Sequence, residues 1–461
     1  MADGIEIEVL LPLIDQIVDR VRDVSDELVK ARRDGLPISL GLFPNFDEMS
    51  RIQEAATRAE VNDAGAKILA MLPAPVAAAF GPVESREQGL LNHVIAAVSY
   101  PDLFKRPRTP QQIAEAFRDL AAGYVTVLTV TFLRGIRPPT PVTLGGCTIG
   151  PAASFDSFWF RSQVPWGTMV PLGFGHAIIF REERIRSDKL TDEDLRTEPT
   201  SSAVQSLRLA ASSDVLSIGS MQRGLVFDPM ILRGPAGGLG SGTRWWAAPH
   251  SRHRAGCLVL TDEHLKEAEF LGALVADADG VLAVPIRRLD MAMKRPEPKD
   301  QLVDLAVSAE ALFLADSEKE VLTYRLKMRA SRVLALPEKR EEMRTWISDI
   351  YDLRSAIVHG DREPSKKRLR PILSDDKRLS DEVRSFAELV RRGIRLGARL
   401  VNVGQKDLPS LFDQLLLATP ATVALFDSIA VPELPEERLD EGRAIFLDFP
   451  PSPQKEGASS S

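Results

Sequence analysis

An arginine followed by a histidine after four to six residues occurs three times in this chain, as Arg86 with His93, Arg244 with His250 and Arg354 with His359. The two side chains complement each other chemically. A guanidinium fork matches the geometry of a phosphate and stabilises charge that builds on it, while an imidazole takes or gives a proton near neutral pH. Spacing alone does not choose among the three pairs, so the choice falls to the elements that must position them.

The third pair sits on a well-punctuated helix. From about Pro337 to His359, the residues Met343, Trp346, Ile347, Ile350, Leu353 and Ile357 recur at spacings of three and four, which predicts a buried face. Arg354 stands four after Ile350 and three before Ile357, on that stripe, where a guanidinium needs a partner. Pro337 suits a first turn and Gly360 a C-terminal stop, which leaves His359 at the helix end. One helix earlier, in QLVDLAVSAEALFLAD, Glu310 repeats the anomaly between Ala306 and Phe313 and is the candidate partner of Arg354. Ser317 to Glu320, in SEKE, forms a capping-box pattern before the intervening helix. A plain buried ion pair between two helices, with His359 capping carbonyls, fits the same pattern.

LVDLAVSAEALFL, followed by LTYRLKMRASRVLAL and then YDLRSAIVHG, resembles the Apea-like branch of the HEPN superfamily over roughly 100 of the 461 residues. The resemblance implies an all-helical bundle at residues 296–402 whose Arg-x(4–6)-His motif is a metal-independent ribonuclease site without a cofactor. Arg354 would hold the scissile phosphate and His359 would move a proton during attack by the RNA 2′-hydroxyl. Glu310, Ser355 and Asp352 would be supporting residues. Five residues turn a helix by about 140°, so Arg354 and His359 do not share a face. Relatives pair two domains at a shared cleft, which implies a homodimer here. The family role carried over is that of a toxin or antiviral defence effector; the alternative is a non-catalytic HEPN module that binds RNA or protein.

An RNA partner fits the charge distribution. Lys319 to Asn402 holds 21 Lys and Arg against 13 Asp and Glu, whereas the rest of the chain holds 37 against 52 and the whole carries −7. Arg325, Arg329, Arg332, Lys366, Lys367, Arg368, Arg391 and Arg395 are the candidate phosphate contacts, with Arg392 and Arg399 on the last of these helices. Solvated helix faces with local ion pairs are the competing explanation for any one of them. Trp245 and Trp246 could stack on unpaired bases, although such a pair more often anchors a loop.

The remaining chain completes a multidomain α+β expectation. Residues 1–124 read as a helical N-terminal region, 125–290 as a β-rich or mixed domain, 296–402 as the helical module and 403–461 as a C-terminal extension with a disordered tail. Two cysteines, Cys147 and Cys257, with no CxxC pair, predict neither a disulfide framework nor a zinc finger. The glycine-rich stretch 234–242 lacks the GK[ST] ending of a phosphate loop, and no HExxH, GxSxG or EF-hand pattern occurs. An acidic start and the shortness of the apolar run GYVTVLTVTFL predict a soluble, cytoplasmic protein with no membrane partner.

Overall fold

The computed structural model describes residues 6–33, 59–78, 80, 82–99, 109–151, 177–186, 200–211, 215–224, 243–245, 257–277, 279–315, 321–360, 366–429, 431–435 and 438–439. Over these the chain is mostly helical, with a small antiparallel sheet in the middle and a succession of helices towards the C-terminus: an α+β protein. The capping-box pattern at 317–320, the glycine-rich stretch and the C-terminal tail lie outside the described residues.

Among the described residues the first helices are α1 (Ile7–Arg33), α2 (Ala59–Met71), α3 (Ala74–Ala78), α4 (Arg86–Ser99) and α5 (Pro110–Ala121). They enclose a core that includes Leu10, Ile14, Ile68, Leu91 and Phe117. The start of α5 is set locally. Thr109 and Gln112 exchange side chain to backbone hydrogen bonds of 3.2 and 3.0 Å, and Pro110 occupies the first turn.

The chain then enters the sheet through β1 (Tyr124–Arg134), a β-branched and aromatic run. It continues through β2 (Ile136–Arg137), β3 (Val142–Leu144), β4 (Cys147–Pro151) and β5 (Ala177–Arg186). After helix α6 (Ser201–Ala210) come β6 (Leu216–Gly224), β7 (Thr243–Trp245) and β8 (Cys257–Val259). The six-stranded antiparallel sheet has the order β3-β4-β5-β1-β6-β7, with Val130 of β1 opposite Phe180 and Met221. Strand β1 serves two cores. Val125 and Val127 close the N-terminal one, while Leu128, Val130 and Phe132 open a larger one. A second sheet pairs β2 with β8 in parallel and β8 with β9 (Arg438–Leu439) in antiparallel fashion.

Helices α7 (Asp262–Ala276), α8 (Ala283–Lys294), α9 (Pro298–Phe313), α10 (Leu322–Leu334), α11 (Arg340–Val358), α12 (Arg370–Leu373), α13 (Asp376–Asn402), α14 (Leu408–Leu416) and α15 (Pro420–Ser428) follow. The larger core runs without a break from Leu128 to Phe412, so the division drawn between 290 and 296 does not coincide with a gap in packing. Leu289 of α8 and Leu302 of α9 lie in the same cluster. Helix α13 approaches α9 closely: a Cβ at Gly393 would lie 2.7 Å from the Leu312 side chain. The expected C-terminal extension also carries packed helices, since Leu408, Leu411 and Phe412 of α14 are buried in this core.

No single helix among the described residues is long and apolar enough to cross a membrane. Helices α14 and α15 reach that length and apolarity only as a pair bent by 113°.

Candidate functional site

Helix α11 follows the sequence pattern closely. A 3₁₀ turn at Pro337–Lys339 leads into it, Ile347, Ile350 and Leu353 are buried, and Gly360 ends it with φ +69°. Met343, Trp346 and Ile357 are partly buried against the same core. Tyr351 and Ala356 join the buried face.

Arg354 emerges half-buried from this face. Among the described residues its buried Nε has no hydrogen-bond partner, and no carboxylate lies within ion-pair distance of the guanidinium. Glu310 of α9 stands close enough for its charge to be felt by Arg354 and by Tyr351, without clasping the arginine in an ion pair. The Tyr351 hydroxyl also lies 3.4 Å from the Ala306 carbonyl oxygen, a long donation. Burial pushes the Glu310 carboxyl above its usual range, against the opposing pull of Arg354 and the nearby Tyr351 hydroxyl. Burial and the neighbouring Glu310 hold the Tyr351 hydroxyl well above its ordinary value, so it stays a neutral donor. Tyr351 was missed in the sequence, although its place three residues before Arg354 puts it on the same stripe.

A raised carboxyl pKa carries a sign. Ionising Glu310 costs more in the folded chain than in the unfolded one, so its relative stabilisation is full below the ordinary carboxylate range and is lost as pH rises through the folded value. Glu310→Gln should therefore melt about 1–2 °C above wild type at pH 7.5, a small effect because partial exposure screens the charge. The gap should close towards pH 4. Melting curves across that range check it, and a variant less stable than wild type at pH 7.5 would contradict the assignment.

His359 is the exposed C-terminal cap of α11, its backbone N–H donating to the Ser355 carbonyl at 3.0 Å. Its ring has no hydrogen-bond partner among the described residues. Ser355 is exposed. Asp352 forms an ion pair of 3.2 Å with Lys366, which is also 2.8 Å from Asp349. Arg368 donates to both Asp349 oxygens at 2.7 Å. Arg325 and Lys367 are exposed, and half-buried Arg332 donates through Nε to the Leu415 carbonyl at 3.3 Å.

Three of the candidate RNA contacts are structural instead. Arg329 is fully buried, gripping both Asp413 oxygens at 2.7 and 2.6 Å and the Phe313 carbonyl at 2.7 Å. Arg391 is buried between Glu388, at 2.6 Å, and the Leu209 and Ala210 carbonyls, at 2.7 and 3.0 Å. Arg395 is buried against Glu267 at 2.8 Å, and that carboxylate also receives Arg399 at 2.6 Å. A buried cation is kept only when paired, and removing one partner of such a pair costs about 3–5 kcal/mol. These arginines fasten α10 to α14 and α13 to α6 and α7.

The two other Arg–His pairs have different settings. Arg86 opens α4 on the way to His93, whereas Arg244 lies on strand β7 and His250 outside the described residues. Trp245 belongs to β7, opposite Gly219, and Trp246 also lies outside them. Among the described residues no group of three His, Cys, Asp or Glu side chains could hold a metal ion, and both cysteines are buried thiols outside any disulfide. No protein-family model, curated protein or solved structure matches this chain.

Proposed function

We propose that the helical module at 296–402 is a metal-independent RNA endonuclease of the HEPN type, acting as a homodimer in a toxin or antiviral defence role. Arg354 holds the scissile phosphate and His359 moves the proton. The observation that carries the reading is the unpartnered, buried Nε of Arg354. A buried N–H without an acceptor costs about 1–3 kcal/mol, and a phosphate oxygen would supply the acceptor. Arg329 differs, its three guanidinium nitrogens each donating to Asp413 or to the Phe313 carbonyl.

Arg354 and His359 lie on different faces of α11, about 140° apart, so one copy does not aim both at one phosphate. Two α11 helices facing each other would form a shared cleft. A second reading, a non-catalytic HEPN module that binds RNA or protein, is favoured by the lack of a group orienting the His359 ring among the described residues. The two separate on incubation of the purified protein with total cellular RNA, with light scattering run alongside. Discrete cut ends from a dimer are expected; RNA retention without cleavage would select the second reading, and an active strict monomer would remove the shared cleft.

A further inference from the structure

At the opposite end of α11 lies a cavity of about 360 Å³, bordered by α10, α11, α13, α14 and α15. Arg340, in the first turn of α11, is about 21 Å along the helix from Arg354, so this is a separate place on the molecule. Arg332 of α10, Arg340 and Arg392 of α13 line it against a single carboxylate, Asp427, for a net charge of +2.

Among the described residues none of the three arginines is neutralised by an ion pair there. Arg332 donates to the Leu415 carbonyl and Arg392 to the Leu334 carbonyl, each at 3.3 Å. Arg340 has its Nε buried with no hydrogen-bond partner. Burial and the charges of Arg332 and Arg344 push its guanidinium below the ordinary arginine value, with Glu338 pulling the other way. The nearby acids do not resolve this: Glu341 answers Arg344 at 3.0 Å and Glu342 answers Lys339 at 2.9 Å. Arg340 also stands at the positive end of the helix dipole, the wrong end for a cation.

The rest of the lining is apolar, with Leu396 and Leu415 buried and Phe426 and Ile429 partly exposed. A carboxylate would satisfy one guanidinium fork, whereas three forks and +2 of charge match a phosphate dianion. Pockets of this size hold compounds of nucleotide size, and the apolar floor asks for a flat or apolar body.

We propose that this cavity binds a phosphorylated small molecule of mononucleotide size, its phosphate held by Arg332, Arg340 and Arg392 and its body resting on the apolar floor.

Calorimetric titration of the full chain with AMP tests this, with adenosine and inorganic phosphate as separate arms. AMP should bind, and each fragment should bind at least tenfold more weakly. Arg340→Gln and Arg392→Gln should each weaken AMP at least tenfold, while Arg354→Ala leaves AMP binding unchanged and so separates this site from the RNA reading. Arg340→Gln should also raise the melting temperature of the ligand-free protein, because it removes a repelled cation, which shows that lost binding is not lost folding. Absence of AMP binding at millimolar concentration, phosphate binding as tight as AMP, or binding that survives both glutamine variants would overturn the proposal.

Discussion

Replacing Arg354 by alanine is expected to lower RNA cleavage by about 10³-fold, the loss typical of removing a group that stabilises transition-state charge, while the protein melts as wild type or slightly higher. The second half of that expectation follows from the geometry. The side chain forms no ion pair among the described residues, and its buried Nε lacks an acceptor, so truncation removes an unsatisfied donor rather than a contact. Arg354→Lys should not restore activity, because an ammonium lacks the planar fork. His359→Ala should cost about 10²–10⁴-fold, the range for a lost acid–base group. That exposed cap residue carries no packing, so this variant too should stay folded. Arg86→Ala and His93→Ala, at the first Arg–His pair, should leave cleavage untouched. Cleavage rates and melting curves on the same preparations decide it. Full activity in either site variant would remove the assignment, and a large fall in melting temperature for Arg354→Ala would return the arginine to a structural role.

What could be read in the sequence was local. The start of α11 near Pro337, its stop at Gly360 and its buried Ile347, Ile350 and Leu353 all follow from helical period and capping chemistry within one stretch of chain. The same holds for the N-terminal helices and for β1. What could not be read were partners supplied from far away. Arg395 meets Glu267 across 128 positions and Arg329 meets Asp413 across 84, and no spacing rule connects such residues. A run of arginines on α13 therefore looks like a phosphate-binding face although Arg391 and Arg395 point into the protein. The packing of α14 escaped for a related reason. Its short apolar stretch gains a meaning only when Asp413 closes over Arg329 and Phe412 packs against Phe313, with ring centroids 5.5 Å apart. The Glu310–Arg354 expectation held only in part: period put the two on facing stripes, where each feels the other's charge, but they form no ion pair among the described residues.

Cleavage should persist in EDTA, should stop when the single 2′-hydroxyl beside a cut site is replaced by hydrogen, and should leave a 2′,3′-cyclic phosphate or its 3′-phosphate product with a 5′-hydroxyl. Among the described residues the acidic neighbours of Arg354 include Glu310, which is half-buried with its carboxyl pushed towards the neutral form, and Asp352, which is engaged by Lys366. Among the described residues neither belongs to a set of three ligands, and that donor set favours a nucleophile supplied by the substrate over a metal-bound water. The adjacent 2′-hydroxyl is the nearest such group. His359, exposed at the end of α11, can remove its proton or protonate the leaving 5′-oxygen, and in a dimer the second His359 could do the other. Arg354 bears the charge that accumulates on the phosphorus oxygens as the new bond forms and the old one breaks. Substituting one 2′-deoxy residue leaves charge and shape almost unchanged, so binding by Lys367 and Arg325 should survive while the chemistry at that linkage does not. Mass spectrometry of the fragments reads the ends directly. Terminal 5′-phosphates, cutting at the deoxy position, or activity lost in EDTA and regained with magnesium or manganese would each overturn this mechanism and make a metal-bound water the nucleophile to look for.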